Sequence, residues 1–296
     1  MALSTCNCNV DPSGRELVQH GTAAFPIACY HDDLSVNEVL WHWHEELEIA
    51  RITEGSCVLS IGSHLHTIHA GQGFFINAGV LHGAKALNGS PCRIHSLVFH
   101  PRLVGGSEGS VFYQQYLLPL TGDPTLEWIF LQSDENWQSQ ALNALEQAWQ
   151  LCADEQPGFE FRVRSALTEF VWLLGGQSPS LPRIPDSRAL RNSDRIKRML
   201  SCIHSQYSEP LNTKTIAASA SLSESECLRC FRSTIGTTPI QYLKQYRLRQ
   251  ASDQLLSTQD KIAEIAERCG FQDISYFTKS FRETYGCTPT EYRSKS

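Results

Sequence analysis

Long apolar runs are missing from this 296-residue chain. No stretch approaches the roughly 18 uninterrupted apolar residues that a membrane helix needs. Met1 to Val10 has neither a charged start nor an apolar core, so no secretory leader is expected there. A cytoplasmic protein with no membrane partner is the resulting expectation. A disulfide framework is missing too. The 11 cysteines are odd in number and scattered from Cys6 to Cys287 without regular spacing, which suits reduced packing residues. Cys6/Cys8 and Cys227/Cys230 have the look of metal pairs, yet a structural zinc site needs about four ligands and no partners stand out. Taken whole, the chain also lacks positive charge, with a net of −6. Taken in parts it does not. Residues 1 to 189 hold 9 Lys and Arg against 20 Asp and Glu, a net of −11, whereas residues 190 to 296 hold 16 against 11, a net of +5. A positive part suits a polyanion, because neutralised phosphates release counterions; the acidic front part would be repelled by DNA.

The length leaves room for two or three compact units, domains commonly being about 100 to 200 residues. From Val39 to His100, short apolar runs are broken by Gly55, Gly62, Gly71, Gly73, Gly79 and Gly89, the pattern of short strands in a small barrel or sandwich. Gln138 to Ala153 and Phe159 to Leu174 show helical spacing around a Gln156-Pro157-Gly158 break and read as a helical hairpin. Gly175 to Ser187 is rich in proline, glycine and serine and reads as a linker. Asp194 to Tyr207 is a further helix, with Pro210 just past its end. The expected fold class is α+β multidomain: an arm (1–20), a β-barrel (21–110), a helical region (111–175), a linker (176–192) and an all-α tail (193–296).

The tail repeats itself. Phe231-Arg232, Gly236, Thr238-Pro239 and Tyr242 recur 50 residues later as Phe281-Arg282, Gly286, Thr288-Pro289 and Tyr292, while Ile216-Ala217 recurs after 49 as Ile265-Ala266. Two copies make a duplicated small unit rather than a solenoid. Each copy reads as a short helix, a tight turn (Ser219 to Leu222; Arg268 to Phe271) and a second helix capped by Ser223 or Asp273. Cys227, Phe231 and Ile235, like Phe277, Phe281 and Tyr285, fall four apart and make an inward stripe. Ser225, Arg229 and Arg232, and likewise Ser275, Lys279 and Arg282, share the opposite face at i, i+4, i+7. Polar groups able to reach base edges, ending in a guanidinium suited to phosphate, are what a recognition helix presents to double-stranded DNA. A solvated helix face is the plainer reading of any one of them. Two trios at matching positions favour DNA.

The segment IAERCGFQDISYFTKSFRETYGCTPTEYR, Ile265 to Arg293, resembles the signature of AraC/XylS-type transcription regulators, and the resemblance extends from about Asp194 to the end. It implies a seven-helix domain with two recognition helices in adjacent major grooves, and base-contacting positions at Ser225, Arg229, Ser275 and Lys279. One departure stands out: Glu224 and Glu226 flank Ser225, where an acid either accepts from cytosine or caps the helix.

In the front part, His42-Trp43-His44-Glu45-Glu46-Leu47-Glu48, read as one continuous strand, places His42, His44 and Glu48 on one side and Trp41, Trp43 and Leu47 on the other, the tryptophans as barrel packing. With His82 after Gly79-Val80-Leu81, these make a competent divalent-metal set. The spacing resembles the cupin family, with Asn77 in the usual Pro place and Ala86 in the usual Asn place. The AraC/XylS resemblance implies a front barrel acting as a ligand sensor, in which such histidines line a pocket with no metal required. Both occupants, a divalent metal and a small-molecule effector, stay open. His64, His66 and His69 fall around a hairpin, as surface polarity.

The leading reading is a non-enzymatic, effector-controlled transcription regulator: the barrel senses, the hairpin pairs two chains into a homodimer and the tail reads DNA. The alternatives are a metal-dependent cupin enzyme fused to a DNA-binding domain, and a constitutive regulator with an empty barrel.

Overall fold

The structure, a computed structural model, describes residues 10–11, 14–62, 64–123, 125–177 and 187–294. It divides into two compact units, built mainly from Arg15–Arg191 and Asn192–Ser296. Cys6 and Cys8, and most of the expected linker, lie outside the described residues.

The first unit contains β1 (Ile27–Asp33), β2 (Val39–His42), β3 (Leu47–Ile61), β4 (His64–His69), β5 (Gly73–Ile76), β6 (His82–Ala86) and β7 (Cys92–Phe99). Short helices α1 (Arg102–Gly105) and α2 (Leu118–Thr121), strand β8 (Trp128–Leu131) and the hairpin helices α3 (Asn136–Asp154) and α4 (Phe159–Gly176) follow. β3 organises all of it. Its first half, from Leu47 to Arg51, pairs with β5 and β7, and its second half, from Cys57 to Ile61, pairs with β4 and β6. The turn from one sheet to the other falls at a register shift between Ile52 and Glu54. Gly55 follows at φ +73, where a Cβ would run into the Pro91 carbonyl. A bulge next to a left-handed glycine bends a strand sharply, and here it curls one sheet over the other.

Side-chain alternation then sorts the core. Leu47 and Ile49 of β3, with Ile27, Cys29, Leu97 and Phe99, join the apolar cluster that α3 and α4 cover. Ala50, Ile52, Leu59, Phe74 and Ile76 point the other way, into the barrel. Both faces of the central strands are therefore buried, and the Glu48 side chain is carried inward between them. The stretch 111–175, read as a helical region, also supplies β8, which pairs antiparallel with β5 and extends the sheet.

In the second unit, α5 (Ser187–Gln206) starts earlier than its apolar spacing suggested, inside the stretch read as linker. α6 (Thr213–Ser219) and α7 (Glu224–Thr234) form the first copy of the repeat, and α9 (Ile262–Arg268) and α10 (Ile274–Tyr285) the second. α8 (Pro239–Ser257) joins them and α11 (Pro289–Ser294) closes the chain. The repeated residues are caps and core. The Thr238 hydroxyl accepts from Gln241 N–H and the Thr288 hydroxyl from Glu291 N–H, the same helix start 50 residues apart. Tyr242 packs on Phe231, and Tyr292 on Phe281, at ring separations of 6.0 and 5.3 Å. The nine cysteines in the described residues are all buried and free, Cys227 and Cys230 among them, which makes these two packing residues.

Both helix-turn-helix turns end their first helix in the same way. Leu222 N–H donates to Ala217 O and Phe271 N–H to Ala266 O, each at 2.9 Å, around a left-handed residue. That residue is Gly270 (φ +81) in the second copy but Ser221 (φ +57) in the first. A Cβ on Gly270 would meet Tyr207 O at 2.6 Å. Gly270→Ala is expected to destabilise the second unit by about 2 kcal/mol or more, whereas Ser221→Gly raises its stability by up to about 1 kcal/mol. Urea unfolding of the two variants checks this, and equal effects of the same sign would refute it.

Candidate metal centre and candidate nucleic-acid interface

His42, His44, Glu48 and His82 come together, with one ligand atom from each lying within 4.8 Å of the others. The expected continuous strand does not deliver them. β2 stops at His42, and the chain bends through the adjacent acids Glu45 and Glu46 before β3 begins at Leu47. His44 is thus presented from a turn, His42 and His82 from paired positions on β2 and β6, and Glu48 from β3. Leu47 does point to the opposite face. Trp41 and Trp43, expected as barrel packing, are half-buried.

The three imidazoles are held alike. His42 Nδ1–H donates to Leu40 O (2.9 Å), His44 Nδ1–H to Glu46 O (3.1 Å) and His82 Nδ1–H to Val80 O (2.8 Å). A carbonyl can only accept, so the proton sits on Nδ1 and a neutral ring turns a bare Nε2 inward. His44 Nε2 and His82 Nε2 nevertheless stand 3.3 and 2.9 Å from one oxygen of Glu48, itself an acceptor. Burial works to raise the Glu48 carboxyl, but its contacts with His44 and His82 outweigh burial and hold it well below the carboxylate range. Burial, aided by His82, pushes His42 down to about 3, which keeps its lone pair available. Burial also opposes charge on His82, but the neighbouring Glu48 wins and raises it. Converging lone pairs around a carboxylate need a proton or a cation between them, and three imidazoles with a carboxylate fit a divalent transition metal.

Sequence reasoning missed two residues. Glu16 and His20, from the stretch read as an arm, are buried beside the cluster. Glu16 Oε2 lies 3.9 Å from His42 Nε2 and accepts from His20 Nε2–H at 3.1 Å, while His20 Nδ1 accepts from the Tyr30 hydroxyl at 2.9 Å. Their segment is fastened by Glu16 N–H donating to Trp43 O (2.8 Å) and by an Arg15–Glu45 ion pair of 3.0 Å. No spacing in the sequence marks them; they are brought in by pairing with Trp43, distant in sequence, through an isolated bridge from Arg15. His64 and His69 are exposed on β4, as a hairpin edge allows.

On the second unit, all six outward residues are exposed: Ser225, Arg229 and Arg232 on α7, and Ser275, Lys279 and Arg282 on α10. Cys227 and Phe231, like Phe277 and Phe281, are buried on the opposite faces. The acids of α7 resolve into different roles. Glu226 closes a capping box, accepting from Ser223 N–H (3.1 Å) and hydroxyl (2.7 Å), and these bonds lower its carboxyl. Glu224 sits exposed in the first turn, where the helix dipole favours an acid. α10 is braced from α8 by Lys244, 3.8 Å from Glu283 and 5.4 Å over the Tyr276 ring.

A family model described as AraC-like ligand binding domain matches residues 25–171, and one described as helix-turn-helix domain matches 216–295. The chain is 29% identical over 293 residues to the uncharacterized HTH-type transcriptional regulator YdeC of Bacillus subtilis, covering 97% of this chain and 98% of that one. It is 25% identical over 264 residues to the HTH-type transcriptional activator RhaS of Pectobacterium carotovorum, covering 86% and 88%. To the HTH-type transcriptional activator RhaR of Mannheimia succiniciproducens it is 32% identical over 110 residues, 37% and 40% of the two chains. No helix among the described residues is long and apolar enough to cross a membrane. The two matched domains, in this order and over nearly the whole chain, place it in the AraC family of DNA-binding transcription regulators.

Proposed function

We propose that this regulator reads DNA with Ser225 and Arg229 of α7 and Ser275 and Lys279 of α10, that Arg232 and Arg282 hold phosphates, and that an effector in the barrel controls it. The observation that carries this is the pair of exposed trios at matching positions in a duplicated unit. α8 has 19 residues and so spans roughly 28 Å, close to the roughly 34 Å between successive major grooves on one side of DNA. One chain can therefore engage two grooves. The net +5 of residues 190–296 supplies the salt-dependent part of the affinity.

The relatives that match over most of the chain carry the names of transcription regulators, which supports a barrel that senses rather than catalyses. A sensor needs only an effector with unequal affinity for two arrangements of the protein.

The hairpin helix α4 supports pairing of two chains. Phe161 and Trp172, i and i+11 on its outer face, are 82% and 57% exposed, flanking Ser165 and Thr168 on the same stripe. Large aromatics left in water on one helix stripe suit a self-complementary interface, in which the same patch serves both subunits.

Three outcomes are expected. Arg229→Ala and Lys279→Ala each weaken specific DNA binding by about 1 to 3 kcal/mol, measured by footprinting on the DNA flanking the coding sequence; unchanged footprints would sink the assignment. Glu226→Ala instead lowers thermal stability by about 1 kcal/mol and leaves the footprint pattern intact, whereas altered base preference would make Glu226 a reader. Phe161→Glu with Trp172→Glu converts a dimer into a monomer in sedimentation equilibrium, and an unaltered mass would remove α4 from the interface.

A further inference from the structure

We propose that Arg247, in the middle of α8, is a positioning residue for DNA reading: it locks the second helix-turn-helix to the end of α5 and so fixes the separation of half-sites that one chain accepts. The inference rests on reading α7 and α10 as the two DNA-reading helices.

α8 serves two cores in succession. Its first half turns Tyr242 onto Phe231 and Tyr246 onto His204 of α5, at ring separations of 6.0 and 4.3 Å. Its second half sends Leu248, Ala251 and Leu255 into the cluster of Ile265, Phe277 and Phe281. α5 goes with the first copy, since the Ser219 hydroxyl donates to Arg198 O (3.4 Å). Helices bend, so two small cores strung on one helix keep a single mutual angle only if something outside the helix ties them.

Arg247 supplies that tie. It is the ninth of the 19 residues of α8, where one core gives way to the other. Its Nε–H donates to Tyr207 O (2.6 Å) and its Nη2–H to Glu209 O (2.7 Å), carbonyls just past the C-terminus of α5, where a cation is favoured. A guanidinium makes both bonds from one rigid plane and fixes direction as well as distance, whereas an ammonium is a point charge on a flexible stem. The turn of the second copy meets the same place. A Cβ on Gly270 would come within 2.8 Å of Arg247 Nε, 2.9 Å of its Cζ and 2.6 Å of Tyr207 O. The end of α5, the guanidinium and the second turn therefore converge with no side chain between them. Glycine is required at that turn by this convergence as well as by its φ, while the matching turn of the first copy carries Ser221.

A locked pair of helices has a consequence for the DNA. One base pair inserted between two grooves moves the second about 3.4 Å along the axis and about 35° around it. A chain with a fixed joint meets that displacement by giving up contacts in one groove.

The test uses the full-length chain and duplexes carrying the footprinted site, with its two contacted grooves at native spacing or with one base pair inserted or removed between them. Fluorescence anisotropy gives the ratio of affinities, native over altered spacing, which a mere loss of folded protein does not move. Wild type is expected to show a ratio of about 10 or more. Arg247→Gln lowers that ratio at least about 3-fold, and Arg247→Lys lies between the two. Circular dichroism checks that the variants are folded; if Arg247→Gln is not, Arg247→Lys carries the comparison. A strong spacing preference in wild type that the folded Arg247 variants share in full would overturn the joint and leave the two-groove reading standing. Absence of any spacing preference in wild type would overturn the two-groove reading itself, and the joint with it.

Discussion

The first unit is organised around a confrontation of acceptors. Three imidazoles commit their Nδ1 protons to the backbone carbonyls of Leu40, Glu46 and Val80 and turn their other nitrogens toward the Glu48 carboxylate. Lone pairs do not stabilise one another, and burial forbids water from filling the gap freely. The strands that hold these groups are nonetheless among the best packed in the chain: Leu47 and Ile49 beside Glu48 are fully buried, as is Ile61, which pairs with His82. The apolar framework therefore holds in place a polar centre that is satisfied once a proton or a cation sits between its donors. Such centres persist where a bound group completes them, because removing one partner of a buried charged set costs several kcal/mol.

The second unit solves a different problem with one module used twice. What recurs at 50 residues is architecture: a Thr-Pro start, a capping side chain three residues on, a phenylalanine and a tyrosine in contact. What differs between the copies is the face turned outward and the acids around it. Glu226 is spent on its own helix end, so its presence on α7 says nothing against a DNA-facing Arg229. The two turns also differ in strain. Ser221 holds the left-handed conformation that glycine occupies at Gly270, and there the neighbouring Tyr207 carbonyl and Arg247 side chain leave no space for a Cβ.

Helical and repeat features were legible in the sequence because their causes are local. The stripe Cys227, Phe231, Ile235, the caps Ser223 and Asp273 and the 50-residue offset all depend on residues a turn or two apart, and the structure has each of them. The histidine group was legible as a set but not as a geometry. Strand parity assigned the right side to His42, His44 and Glu48 for an incorrect reason, since the chain bends at Glu45-Glu46 and three separate elements supply the ligands. β8 and Glu16 were illegible for a common cause. Each is placed by pairing with a partner distant in sequence, β8 by β5 and the Glu16 segment by Trp43, and neither leaves a periodic trace.

The donor set also bears on which ion the cluster would take. Three imidazoles discriminate against Mg²⁺ and Ca²⁺, which prefer oxygen throughout, while among later transition metals raw affinity follows a fixed order and the protein can choose only through geometry. Part of that geometry is rigid. His42 and His82 face each other across a strand pair, ring centres 4.2 Å apart. The rest is presented from outside the strands: His44 comes from a turn, and the Glu16 segment is tied by the Glu16 N–H bond to Trp43, the Arg15–Glu45 ion pair and the buried His20–Tyr30 hydrogen bond. A fully rigid cage would bind without consequence, and a wholly loose one would not select. A ligand of the cluster that pulls differently on the turn and on the Glu16 segment in two arrangements of the chain would have the unequal affinity that couples binding to a second site.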